Sequence, residues 1–478
     1  MKKRFSILVL VAILSGSTAM AQFNETNNLF YNTFRTPQTN LLNPALFPNA
    51  SFYLTLPGLN NLQFGSPLAI RDLIHYDPTR GYSVIDINHI LDVMEDDDHF
   101  RFGLGINLLG FGFKVNNLTF NFNTRVVGDF GVGLPVSVLD KLLDGNIDDN
   151  NQAISEVRFL DGSLLDAQVY TETSVGVAYK IAPINTTFGF HLKVLGGLSA
   201  FQLDSVRFVL HSDAEYDNLS ADAYYNLRLS LPGQGDLNAL NVSDIIHSVS
   251  PFGPNSGIAF DLGVRYDLGP FAFSLAINDL TAGIHWTNNI QNMVPKDGHS
   301  TLTFSGVNLD SIVNGSDGLT TELENFINGL QPDTVPGKDF WTNIPTKVNL
   351  GATYTFANLL RAGILFHGQF DRGIISKSNP MQLDISKEEA AQTFRFNTTL
   401  SAGVNVFNWL EFIIGSSVVF DGGKADFFNP GAGVVISLGT ALQTYLMADY
   451  VSSIYALDSK AFNLKFGFNL VIGKGGVK

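Results

Sequence analysis

The residues able to do chemistry in this chain are mostly basic and widely spaced. Arg125, Lys193, Arg265, Lys347, Arg361, Arg395 and Lys465, with His367, each fall on the polar side of a segment in which polar and apolar residues alternate. Gathered in one cavity, such groups would attract an anionic solute or a carboxylate head through a concentrated positive field. The plainer expectation is that they pair with carboxylates of neighbouring strands or of a plug and hold it in place. Bases outnumber acids on these faces, so the carboxylates are expected mainly in loops and plug. Catalytic patterns are missing. The nine histidines are scattered without an HExxH pair, and neither a GxSxG elbow nor a GxxxxGKS/T phosphate loop occurs. Cysteine is absent, which excludes thiolate nucleophiles and thiolate metal sites. No catalytic residue, cofactor or metal is implied. Asp144-Gly145-Asn146-Ile147-Asp148-Asp149 has the opening spacing of a calcium loop, but it lacks the glycine at position six and the glutamate at position twelve. The run Glu95-Asp96-Asp97-Asp98 reads as a solvated turn.

The elements that carry the basic residues are long strands. In 258–267, Ile258, Phe260, Leu262, Val264 and Tyr266 alternate with Ala259, Asp261, Gly263, Arg265 and Asp267. The same two-faced pattern recurs over 346–356, 394–406 and 462–473. Successive strand side chains point to opposite faces, so each segment has one oily and one polar side. These windows are about 9–13 residues long. Ordinary globular strands average about 5–6, whereas a tilted strand crossing a bilayer needs about 9–11. Composition agrees: 45% of residues are hydrophobic and only 15% charged, with 45 Gly and 39 Phe. A net charge of −15 argues against a nucleic-acid binder, which needs a basic footprint. Lipid cannot satisfy an open sheet edge, so a sheet of this kind must close. The expectation is an all-β, closed antiparallel transmembrane β-barrel of about 14 strands, with an N-terminal plug and a few loop helices. Glycines on the polar faces (Gly263, Gly351, Gly363, Gly403, Gly467) would make room for a plug or solute or, the preferred reading, serve strand curvature.

Three segments stand apart. Residues 1–21 read as a secretory signal, with Lys2-Lys3-Arg4, an apolar run over 5–14 and Ala19-Met20-Ala21 at the cut. Residues 22–98 are assigned to a hatch or plug, with a helix expected over 83–96 from the spacing of Val84, Ile87, Ile90, Leu91 and Met94. Residues 99–478 are assigned to the barrel. Within it, 289–343 is expected to be a long loop over one mouth, carrying a helix at 320–330. A shorter helix is expected at 136–143.

Leu42-Asn43-Pro44-Ala45 resembles the Asn-Pro-Ala signature near the N-terminus of FadL-like barrels, and Ala276-Ile277-Asn278-Asp279-Leu280 with Trp286 resembles a strand-end pattern of FadL-like, PorV-like proteins of Bacteroidota. The mature chain is also similar to an uncharacterised Bacteroidota family of outer-membrane barrels. The resemblance implies a cell outer-membrane location among outer-membrane lipid, with Asn43, Pro44 and Ala45 in a lumenal hatch. The function it implies is transport of a hydrophobic or small anionic solute through the plugged lumen, with a hydrophobic ligand as partner. In that family the lateral route depends on a kinked strand wall, for which Asn107–Gly112 is the candidate. The PorV likeness implies the alternative, a non-transport scaffold with a secretion or assembly partner protein.

Overall fold

The computed structural model describes residues 27–66 (except 34 and 49), 74–77, 82–85, 99–133, 156–159, 165–212, 219–232, 253–304, 332–370 (except 358), 394–421 (except 408), 424–450 (except 440) and 460–473. Fourteen antiparallel strands form a closed ring. The first, β1, comes in two halves, Phe52–Thr55 and Gly58–Gly65. There follow β2 (His99–Val115), β3 (Leu118–Gly133), β4 (Leu165–Ile181), β5 (Thr186–Ser212), β6 (Ser256–Leu268) and β7 (Phe271–Leu280). The second half comprises β8 (Thr346–Phe356), β9 (Leu360–Phe370), β10 (Phe394–Phe407), β11 (Leu410–Asp421), β12 (Lys424–Leu438), β13 (Leu442–Ala448) and β14 (Ala461–Ile472). Both halves of β1 pair with β2 on one side and β14 on the other, which seals the cylinder. The wall therefore takes in Phe52–Gly65, a stretch the sequence reading assigns to the plug.

Alternation decides which side faces out. On β8, Leu350 and Phe356 are 55% and 57% exposed, whereas Asn349, one residue from Leu350, is 3% exposed. Leu400 and Ile414 reach 62% on the outside of β10 and β11. A continuous apolar belt of this kind is far larger than a water-soluble monomer tolerates, and lipid is the solvent that suits it. Tight turns join the strands at one end. Asn116 and Asn185 adopt left-handed backbone there, and Gly269, at φ +58°, takes the turn between β6 and β7. Aromatic pairs ring this end, including Phe113 with Phe120, Phe271 with Tyr354, and Phe407 with Trp409. Such a girdle suits the polar boundary of a bilayer.

Beyond the opposite end, β5 runs on for 27 residues, pairing first with β6 and then with Leu219–Ser230. Leu219–Ser230 pairs in turn with Ile290–Pro295 and Ser300–Phe304, while Gly283–Trp286 pairs with Phe340–Asn343. The described ends of the expected 289–343 loop are thus strands that extend the wall. Trp286, fully buried here with Ile284 and Phe340, donates its indole N–H to Thr342 Oγ1 at 2.8 Å. His285 bonds Asp339 Oδ2 at 3.0 Å and stacks on Trp341.

The helix expected over 83–96 is corrected at its start. Tyr82–Ile85 is a strand paired with Ile74–Asp77, because Val84-Ile85 favours extended backbone and a partner strand supplies the hydrogen bonds. The remainder of that helix, the helices at 136–143 and 320–330, the acidic runs and the signal lie outside the described residues. The described helical turns are three short 3-10 segments. Two of them, Asn28–Asn32 and Pro37–Leu41, shape the plug.

Candidate functional site

The plug, residues 27–48, lies in the lumen and meets the wall through two kinds of contact. Asn43 is 1% exposed and uses both ends of its amide. Its Oδ1 accepts the Ala45 N–H at 2.8 Å, and its Nδ2 donates to the carbonyls of Val264 and Leu275 at 3.3 and 3.1 Å. Those two carbonyls belong to residues paired in register across β6 and β7. Pro44 and Ala45 rest on Gly189 and Gly263, which face each other across β5 and β6. A Cβ on Gly189 would collide with the Pro44 carbonyl, and one on Gly263 would come within 2.8 Å of Pro44 Cδ besides striking the Asn43 side chain. Gly351 likewise leaves room for the Tyr31 ring, and Gly363 for the Asn32 side chain. At these positions glycine makes space for the plug, the reading set second to strand curvature in the sequence. Tyr31 shares a 2.8 Å bond with Ser274 Oγ, and burial pushes its phenol pKa up, so the group stays protonated.

Above this seat, six neighbouring strands each contribute charged groups to one buried ladder. Arg125 on β3 makes a two-pronged bond to Glu172 on β4, at 3.1 and 2.9 Å. Lys193 on β5 touches Asp279 at 2.6 Å, Asp261 at 3.0 Å and Glu172 at 3.5 Å. Lys347 on β8 reaches the other oxygen of Asp279 at 3.1 Å, and His191 reaches Asp261 at 3.0 Å. A register shift places Asp261 of β6 against Asn278-Asp279 of β7, and Asp279, at φ +59°, donates its own N–H to Asp261 Oδ1. The bulge re-aims these side chains into the lumen. Asn278 donates to the carbonyls of Leu41 and Leu42, and Asn349, paired with His367 at 2.7 Å, also donates to Leu42. The ladder thereby grips the plug backbone.

The structure thus brings Arg125, Lys193 and Lys347 together around matching acids, with His367 beside them on Asn349. Carboxylates of neighbouring strands answer these cations, as the pairing expectation has it. Glu172, Asp261 and Asp279 are buried lumenal groups, because a desolvated cation needs an anion within reach. Their signal was legible: Glu172 and Asp261 share the inward parity of their strands. Lys465 lies apart, bonded to Asp449, whose other oxygen accepts the Leu29 N–H at 2.9 Å. Arg265 and Arg361 stand near the short-turn mouth, where Arg265 bonds Asp267 at 2.7 Å and Arg361 donates to the plug carbonyl of Thr33 at 2.5 Å. Arg395 is half-buried on β10, in register with Gln369.

Fold and plug together define a closed fourteen-stranded β-barrel stoppered by its own N-terminal segment, the architecture that the FadL-like resemblance implies. The chain belongs to the family described as "Family of unknown function (DUF5723)", whose model matches residues 44–449. No curated protein matches it in sequence. Among solved structures it is similar to the Ralstonia pickettii toluene transporter TbuX, at 10% identity and TM-score 0.43, covering 92% of this chain and 95% of that one. It is also similar to the Pseudomonas putida toluene transporter TodX, at 10% identity and TM-score 0.41, covering 92% and 93%. A TodX deltaS2S3 mutant, titled a monoaromatic hydrocarbon channel, matches at 11% identity and TM-score 0.46, covering 95% and 98%.

Proposed function

We propose that this chain is an outer-membrane barrel that passes a hydrophobic or small anionic solute through its lumen when the plug shifts. One observation carries the reading. The wall does not fill its own interior where the hatch sits: Gly189, Gly263 and Gly351 leave a space that a separate chain segment occupies. A fourteen-stranded cylinder is wider than its own side chains need to fill, and a separate segment on glycine seats suits a passage that is closed at rest. Hydrogen bonds and packing hold that stopper. The wall also has irregularities suited to local opening. The ladder between β2 and β3 slips between Asn107 and Leu109, inside the stretch singled out for a kink, and a second slip lies at Asp261 beside the hatch. The short turns would face the periplasm and the extended sheet the exterior.

Planar-bilayer recordings and uptake assays test this. The intact barrel is expected to conduct poorly, and removal of residues 27–46 is expected to give a large, steady pore. Cells lacking the protein are expected to take up a hydrophobic or small anionic solute more slowly until it is restored. Unchanged uptake, together with co-purification of a secretion partner, would replace transport with the scaffold role.

A further inference from the structure

We infer that the barrel carries an oxyanion site at its short-turn mouth, beneath the plug, for a small ligand bearing a carboxylate or phosphate group. A cavity of about 380 Å³ lies there, within the roughly 300–1,000 Å³ of small-molecule sites. Among the described residues its walls carry Arg35, Lys114, Lys180, Arg265 and Arg361 but a single acid, Asp267. That imbalance sets it apart from the ladder, where Arg125, Lys193 and Lys347 are matched by Glu172, Asp261 and Asp279. Asp267 is already shared, bonding Arg265 at 2.7 Å and lying 3.6 Å from Lys180. Glu411, buried on β11, acts on Arg361 but does not line the cavity.

The surplus arises in a protein of net charge −15, so overall composition does not explain it. Partly enclosed cavities lined by one sign of charge concentrate the opposite ion, and guanidinium forks match the paired oxygens of carboxylate and phosphate. Arg361 also holds the Thr33 carbonyl, so one side chain touches both cavity and plug. A bound oxyanion would compete for it and loosen the plug from below. The site does not depend on the transport reading, since an anion can bind there whether or not a solute crosses.

Calorimetric titration of the full chain in nonionic detergent, with inorganic phosphate in one arm and octyl phosphate in the other, tests the site. One saturable site per barrel is expected. Binding should weaken at least tenfold in Arg265→Gln and in the surface double variant Lys114→Gln/Lys180→Gln. Lys338→Gln, in the extension at the far end, should leave it unchanged. Binding of inorganic phosphate identifies a free oxyanion, and binding of octyl phosphate alone identifies the head of an amphiphile; either supports the site. If Arg265→Gln does not fold, the lysine double variant decides. Absence of saturable binding in both arms, or an equal loss in Lys338→Gln, overturns it.

Discussion

The two halves of the lumen hold the same plug by different means. Strands β3 to β8 present a ladder of three cations and three carboxylates, together with Asn278 and Asn349, which bond the plug's backbone carbonyls. Strands β9 to β13 also bond the plug, through Arg361, Asn397 and Gln443, but add what the other half lacks, an apolar seat in which Leu365, Ile413, Val435, Tyr445 and Met447 pack on Leu29, Phe30, Tyr31, Leu42 and Leu46. Phe30 meets Tyr445 edge to face, with ring centres 5.3 Å apart. The polar half gives direction, because each hydrogen bond fixes an atom at a stated place. The oily half gives most of the favourable energy, because burial of apolar area needs no fixed geometry. A stopper that must seat accurately yet be able to leave is well served by both.

The comparison can be broken most severely at Lys193. Replacing it by Met leaves Glu172, Asp261 and Asp279 crowded without their shared cation. Removal of one partner from a buried pair costs about 3–5 kcal/mol. The expected outcome is a barrel that unfolds at much lower denaturant, or fails to give the heat-modifiable band of a folded barrel on gels. Next comes Phe30→Ala, which empties the oily grip. The loss is about 3–5 kcal/mol, as for other buried aromatics, but it should fall on plug docking while the wall stays intact. Faster hydrogen exchange confined to residues 27–48 would show this, and loss of the whole barrel would contradict it.

Smaller effects sharpen the contrast. Gly189→Ala sets a methyl group against the Pro44 backbone, which has no flexible end to move aside. Overpacking of this kind costs about 1–3 kcal/mol, and the expected readout is more frequent opening in bilayer recordings. Asn43→Ala removes two bonds to wall carbonyls and one within the hatch, and should weaken seating by about 1 kcal/mol per bond at most. If the polar and oily grips are independent, the exchange effects of Asn43→Ala and Phe30→Ala will add. Strong non-additivity would mean that the plug docks as one cooperative piece.

Much of the architecture was legible in the chain. Regular alternation over windows too long for a globular sheet pointed to a closed barrel, and the count of about fourteen strands agrees with the ring observed. Asn43-Pro44-Ala45 was marked as the hatch; the structure places these residues in the lumen against β5, β6 and β7. The first strand was missed because Leu56-Pro57 divides it and its register slips near Asn60-Asn61, which destroys the period of two. The acids of the ladder were underrated although they stood in plain view. Parity along a strand says which face a carboxylate is on, but not which cation on another strand it meets.

The order of residues along the chain determined what is local: strand length, which face is oily, where tight turns fall, and that the oily faces must end in lipid. These follow from the alternating pleat and the cost of open edges, which act residue by residue. Only the closed tertiary structure decided that Lys193 stands among three carboxylates, that Gly189 faces Gly263 beneath Pro44, and that four basic residues of the wall meet the plug's own Arg35 around one cavity. Those meetings depend on the register between strands far apart in sequence and on the path of a plug with almost no periodicity of its own.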